Sequence, residues 1–162
     1  MKIDSCEATR VRGEQSDALL DVRARCLDLR AAELAAFTET YSGAIGGDEV
    51  ERAILGASSL PRVEDCADRD ALTQVVPLPA SPGSRARVEA ARRGLAETRV
   101  LRAAGRFDAG LKRVEPLVKE GEDLAFAPLL AEALYEHAAL LAELRREPAA
   151  VAALRQAIQA AA

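Results

Sequence analysis

Apolar residues in this chain recur at spacings of three and four and almost never alternate. That period lines them along one face of a helix and leaves little that could form a half-buried strand. Ala and Leu carry most of the apolar mass, aromatic residues make up 3%, and Trp is absent. Ala and Leu favour helices, whereas the β-branched and aromatic residues that favour strands are sparse. With 49% hydrophobic residues among 162, a sizeable core is expected at single-domain size. A core of this kind lets helices approach closely but offers few bulky anchors for a small-molecule pocket.

The first helix signal follows Val11 to Gln15, a turn around Gly13, with Ser16 as its cap. Leu20, Leu27, Leu34 and Tyr41 then recur every seven residues beside a second stripe of Leu19, Val22, Cys26 and Leu29. One long helix to about Tyr41 is expected, stopped by Gly43, Gly46 and Gly47. Asp48 is the expected cap of the next helix, whose apolar face is Val50, Ala53, Ile54 and Ala57 and which ends at Leu60-Pro61. Asp68 caps a short helix with Leu72, Val75 and Val76. The cluster of Pro77, Pro79, Ser81, Pro82 and Gly83 is the clearest boundary, dividing residues 1–80 from residues 81–162 within one continuous domain.

Beyond it, Ser81-Pro82 opens a helix carrying Val88, Ala91, Leu95, Thr98 and Leu101, which turns at Gly105 to Asp108. Leu111, Val114, Leu117 and Val118 mark a second helix ended by Gly121. Phe126, Leu130, Leu134, His137, Leu141 and Leu144 mark a third. A turn near Arg145 to Pro148 leads to a last helix with Val151, Leu154 and Ile158. Such hairpins bury little alone and must stack. In this half, Thr98, Leu101, Gly105, Phe107 and Gly110, and then Leu134, Ala138, Leu141, Ala150, Leu154 and Ala157, resemble two degenerate tetratricopeptide repeats. The departures are Gly94 where a large residue belongs, Pro116 interrupting a helix, and a second turn without Gly. The resemblance implies an all-α fold of stacked antiparallel helical hairpins forming a right-handed superhelix, whose concave face holds a partner segment.

The first half carries a different likeness. Cys6 to Ser16, with Leu19-Leu20-Asp21, Cys26-Leu27-Asp28, Val50 to Ala53, Leu60-Pro61 and Cys66-Ala67-Asp68, resembles a region of myxobacterial-type, eukaryotic-like serine/threonine protein kinases. In those proteins a kinase domain and a membrane helix precede a long helical region rich in tetratricopeptide repeats. The resemblance implies a sensory or docking part of a signalling kinase, without kinase activity in this stretch. A structural or dimerising scaffold, or a repeat module of a transcriptional or ATPase regulator, are the alternatives.

Catalytic chemistry is not expected. There is no Gly-x-Gly-x-x-Gly, His-Arg-Asp, Asp-Phe-Gly or P-loop, and Gly46-Gly47 is followed by acids that would repel phosphate. His137 is the only histidine and sits on an apolar stripe, where a core or groove role with one ring nitrogen bonded is expected. No Cys-x-x-Cys pair occurs, so neither a metal nor another cofactor is expected. The net charge of −4 argues against non-specific nucleic-acid binding. No run of about 18 apolar residues is present, and the start lacks a signal-peptide pattern, so no membrane insertion is expected. The chain reads as soluble, cytoplasmic if made alone and extracytoplasmic if it belongs to a membrane-anchored kinase.

Charge is unevenly spread. Between Arg85 and Arg113 nine basic residues face three acids, whereas seven acids face three arginines between Asp48 and Asp70. Solvated helix faces account for such an imbalance. The functional alternative is a basic first hairpin that lines a groove for an acidic protein or peptide partner, with Arg92, Arg99 and Arg102 as the candidate residues, or that docks on the acidic half. For the cysteines, a helical arm before Gly13 that folds back could bring Cys6 to Cys26 and leave Cys66 free. The alternative is three reduced thiols acting as small hydrophobes.

Overall fold

The computed structural model describes residues 2–43, 46–73 and 76–162, and in these the chain is all-helical. Eight α-helices succeed one another among the described residues: α1 Lys2–Arg10, α2 Asp17–Thr40, α3 Gly47–Ser58, α4 Arg69–Thr73, α5 Pro82–Ala103, α6 Phe107–Asp123, α7 Ala127–Glu143 and α8 Glu147–Ala161. A 3₁₀ turn covers Val63–Ala67.

The second half is built from one device used three times. At Gly105, Ala125 and Arg145 the backbone enters the left-handed region, with φ of 73°, 47° and 57°. Each is followed by an amide that reaches back five residues, Arg106 to the Leu101 carbonyl, Phe126 to Gly121 and Arg146 to Leu141. This closes a helix C-terminus and reverses the chain within three residues. The turns fall at intervals of twenty residues, so α5 to α8 are successive helix-turn units, each packed on the next. The middle turn does not arise from Gly121, the expected stop. Gly121 lies inside α6, where it takes the backbone of α7: a Cβ there would sit 2.8 Å from the Leu130 Cα. Gly94 likewise receives the Leu117 side chain at 3.1 Å, which explains a glycine where a large residue was expected.

Pro116 does not interrupt α6. Leu111, Val114 and Leu117 are buried on both sides of it, and their packing outweighs the roughly 3 kcal/mol cost of an internal proline. The core runs from Val88, Leu95 and Val114 through Leu129, Ala133 and Leu140, all fully buried. In α8 the buried face is Ala150, Ala153 and Ala157, whereas Val151, Leu154 and Ile158, the expected apolar stripe, point outward.

The first half leans on this stack through α2, which packs along α5. Ser16 caps α2 by accepting from the Leu19 amide, and Asp68 caps α4 by accepting from the Asp70 and Ala71 amides. Leu19 and Leu27 are buried as the spacing predicts, but Leu34 is 53% exposed. The cap of α3 is Gly46 and not Asp48, with the Glu49 carboxylate accepting from the Gly46 amide. The expected apolar face of α3 is mostly open to solvent at Val50 and Ile54. Only Gly56 is buried there, 3.1 Å from the Phe37 ring by its missing Cβ. The expected core position Val75 lies outside the described residues.

The arm α1 does fold back over the turn at Gly13, but it does not deliver Cys6. Ser5 and Ala8 face inward, and the next position along a helix points about 100° away, leaving Cys6 exposed and free. The disulfide joins Cys26 to Cys66 instead, tying α2 to the 3₁₀ turn across 40 residues of chain.

Two outcomes are expected. Gly121→Ala gains about 1 kcal/mol of helix propensity but forces the α6 and α7 backbones apart, for a net loss of about 1–2 kcal/mol in denaturant unfolding. Unchanged stability would show that the helices yield freely. Cys66→Ser removes a link closing 40 residues and lowers stability by about 4 kcal/mol in the chain-entropy model. Three free thiols in unreduced protein, counted by mass spectrometry, would refute the link.

Candidate functional site

The three arginines expected to face a partner all lie on the side of α5 that meets α2 and α7, and each is engaged inside the molecule. Arg92 reaches Glu132 of α7 at 2.8 Å and lies 6.0 Å from the Phe126 ring centre. Arg99 splits its guanidinium between two helices, donating to Glu33 of α2 at 2.6 Å and to Glu136 of α7 at 3.3 Å. Arg102 donates to the other oxygen of Glu136 at 3.3 Å, and Arg30 to the other oxygen of Glu33 at 2.8 Å. The two carboxylates are nearly sealed, with side chains 3% and 6% exposed, while Arg99 and Arg102 are about a third exposed. Three helices therefore meet at two buried acids and three arginines.

Sequence reasoning found Arg99 and Arg102 but missed Arg30 and both acids. A usable signal was present in α7: Leu129, Ala133, Glu136 and Leu140 form one series at spacings of three and four, so Glu136 lies on a core stripe. A buried charge needs an opposite charge at hand, and the basic excess in α5 supplies it.

Beside this cluster a groove of about 600 Å³ opens between α2, residues 76–78 and α5. Val22, Leu29, Leu72 and Leu78 form its apolar walls. Arg25, Arg85 and Arg93 stand along it, and Arg25 and Arg93 make no side-chain hydrogen bond or ion pair among the described residues. Arg85 has only a long bond to the Ala80 carbonyl, at 3.4 Å. Asp21, Asp28 and Glu89 also border the groove; Asp21 lies four residues from Arg25, Glu89 four from Arg85 and Arg93, and Asp28 is paired with Lys2. Further along, Arg87 of α5 holds Glu120 of α6 with two bonds, at 2.7 and 3.1 Å. That pairing keeps the Glu120 carboxyl below its usual pKa and raises the arginine's.

His137 sits half-buried on α7, where burial lowers its pKa and the charge of Glu115 opposes the shift. Among the described residues no group of three or more His, Cys, Asp or Glu side chains is placed to hold a metal ion. No helix among them is long and apolar enough to cross a membrane. Comparison with family models, curated proteins and solved structures finds no match to this chain.

The ion-pair cluster predicts an order of costs. Arg99→Met leaves Glu33 and Glu136 each with one guanidinium in a nearly dry site. It should lower stability by about 2–3 kcal/mol, less than a fully buried pair because Arg99 reaches solvent. Arg92→Met, whose partner Glu132 is 35% exposed, should cost less than about 1 kcal/mol. Equal losses in urea unfolding would refute a special role for Arg99.

Proposed function

We propose that this chain is a non-catalytic protein-interaction module whose groove beside α5 holds an acidic, amphipathic segment of a partner protein. The observation that carries the reading is the groove itself. Its apolar walls would take the non-polar side of a helix or extended segment. Arg25 and Arg93 stand beside it with no internal partner among the described residues, and Arg85 has only a backbone carbonyl. Arg92, Arg99 and Arg102, the candidates that the sequence offers, are engaged within the fold. Their role in the proposal is to orient α5, with Arg92 at the rim contributing its exposed part.

The stacked, tetratricopeptide-like arrangement belongs to the same proposal. It is supported by helix hairpins closed by three-residue turns, a construction that presents one helix of each pair on a common face. So does the assignment to the region beyond the kinase domain of a myxobacterial-type serine/threonine kinase, which rests on the residues between Cys6 and Asp68. The Cys26–Cys66 bond lies in that stretch, and bonds of its kind persist in oxidising compartments, which supports an extracytoplasmic setting.

The test uses a labelled synthetic peptide with Leu on one helical face and Glu on the other, titrated with the chain and followed by fluorescence anisotropy. Arg25→Glu together with Arg93→Glu should weaken binding at least about tenfold while the melting curve stays in place, because neither side chain supports the fold. Added salt should weaken it too, since exposed charges are screened beyond about 8 Å at physiological ionic strength. No binding, or affinity indifferent to the two reversals, would overturn the groove assignment.

A further inference from the structure

A second cavity, of about 320 Å³, opens between α2, α3 and α5. Phe37, Leu55 and Leu60 supply apolar wall, and Arg99, Arg102 and Glu33 line it as well. It shares no lining residue with the groove beside residues 76–78. The charges gathered at this place do not balance. Arg30, Arg99 and Arg102 bring three positive charges, and Glu33 and Glu136 return two negative ones. Every oxygen of the two carboxylates already accepts from a guanidinium. The guanidiniums are not used up in the same way. Arg102 spends only its Nε and Arg99 its Nε and Nη1, so Nη2 of Arg99 and both Nη groups of Arg102 have no acceptor among the described residues. The surplus positive charge sits at the edge of a nearly dry site, where screening is weaker than on an open surface.

We infer that this cavity is a binding site for a small carboxylate with an apolar tail. The carboxylate takes the free Nη groups of Arg99 and Arg102, and the tail lies against Phe37, Leu55 and Leu60. One negative charge brings the cluster to neutrality, whereas a phosphate dianion would overshoot it. A guanidinium is also the group that meets a carboxylate with parallel bonds. Glu33 is no obstacle, since both its oxygens are held by arginines. The volume is near the lower end of the roughly 300–1,000 Å³ of small-molecule sites. One turn of helix, about 10 Å across and about 5.4 Å long, already exceeds it, so the tail is a short acyl or aryl group. Leu55 is 61% exposed in the unliganded chain and is covered when the tail is in place. A ligand held there also joins α3, otherwise thinly packed, to α2 and α5.

The experiment is isothermal titration calorimetry on the 162-residue chain with octanoate, octanol and acetate as probes. Octanoate should bind one to one. Octanol, which lacks the charge-assisted bonds, and acetate, which lacks the tail, should each bind at least about tenfold more weakly. Leu55→Glu changes an exposed side chain and sets a negative charge at the cavity wall. It should weaken octanoate at least about tenfold while the melting curve stays in place. Absence of octanoate binding overturns the inference. So does octanol bound as tightly as octanoate, or an affinity indifferent to Leu55→Glu. Displacement of octanoate by the amphipathic peptide of the groove test would give the cavity to a polypeptide and overturn it too. Arg25→Glu with Arg93→Glu, which tests the groove, should leave octanoate binding unchanged, so the two readings fail separately. Loss of octanoate binding in that pair would put the ligand in the groove and sink the cavity assignment.

Discussion

The helices α5, α6 and α7 are each followed by a left-handed residue, and the stack takes its dimensions from those three positions. Once the chain reverses at residues 105, 125 and 145, helix length is set, and so is the register in which each helix meets the next. Gly105 adopts that conformation without penalty, but Ala125 and Arg145 do so at a cost of roughly 1 kcal/mol each. Packing on either side must outweigh it. The fully buried Leu129 and Leu140 lie near these turns, and the close approach at Gly121 leaves no room for α6 and α7 to slide. Strain at the turn and tightness in the core are thus coupled.

The first half lacks such a device and is held by discrete ties. Arg99 anchors α2 electrostatically through Glu33, Arg106 reaches the Thr40 carbonyl at 3.3 Å, and Cys26–Cys66 fastens the 3₁₀ turn to α2. Between these ties the packing is thin, as the exposed apolar residues of α3 show. Gln15 illustrates how the arm is secured: its amide donates to the Ser5 carbonyl and to the Thr9 hydroxyl, each at 2.7 Å, while Arg23 donates to its oxygen at 2.5 Å. Polar bonds of this sort give direction, but each contributes only about 1 kcal/mol net.

The all-helical class and the ends of α2 and α5 were legible because periodicity and capping are local properties. Ser16 and Ser81 both cap as expected, by accepting from Leu19 and Ser84. The middle turn was not legible, since its left-handed residue is Ala125, and the nearby glycine serves packing. The same confusion of roles recurs elsewhere. Pro116 looked like a break, and Val151, Leu154 and Ile158 looked like core, because a sequence shows which side of a helix is apolar but not whether a neighbour covers it. The cysteine pairing failed for a related reason. A fold-back arm before Gly13 is legible, but which thiol it delivers rests on which way position 6 points from α1. Of the candidate site, the basic stripe of α5 was visible and its buried acids were not, since Glu33 and Glu136 come from helices distant in sequence.

The basic excess between Arg85 and Arg113, across α5 and the start of α6, has a different meaning in the fold than along the sequence. Counted along the sequence, nine cations against three acids look like a surface waiting for an anionic partner. In the fold Arg87, Arg92, Arg99, Arg102, Arg106 and Arg113 all meet carboxylates of the chain itself, from α2, α3, α5, α6 and α7. The arginines of α5 thus serve internal assembly, because a central helix can be gripped from several sides by carboxylates of its neighbours. After those pairings Arg85, Arg93 and Lys112 are left of the nine, and Arg85 and Arg93 meet Arg25 of α2 along one groove only when α2 lies against α5. A groove of this kind exists only in the assembled fold. Loosening the Arg99 cluster would therefore disperse the groove before it unfolded the stack.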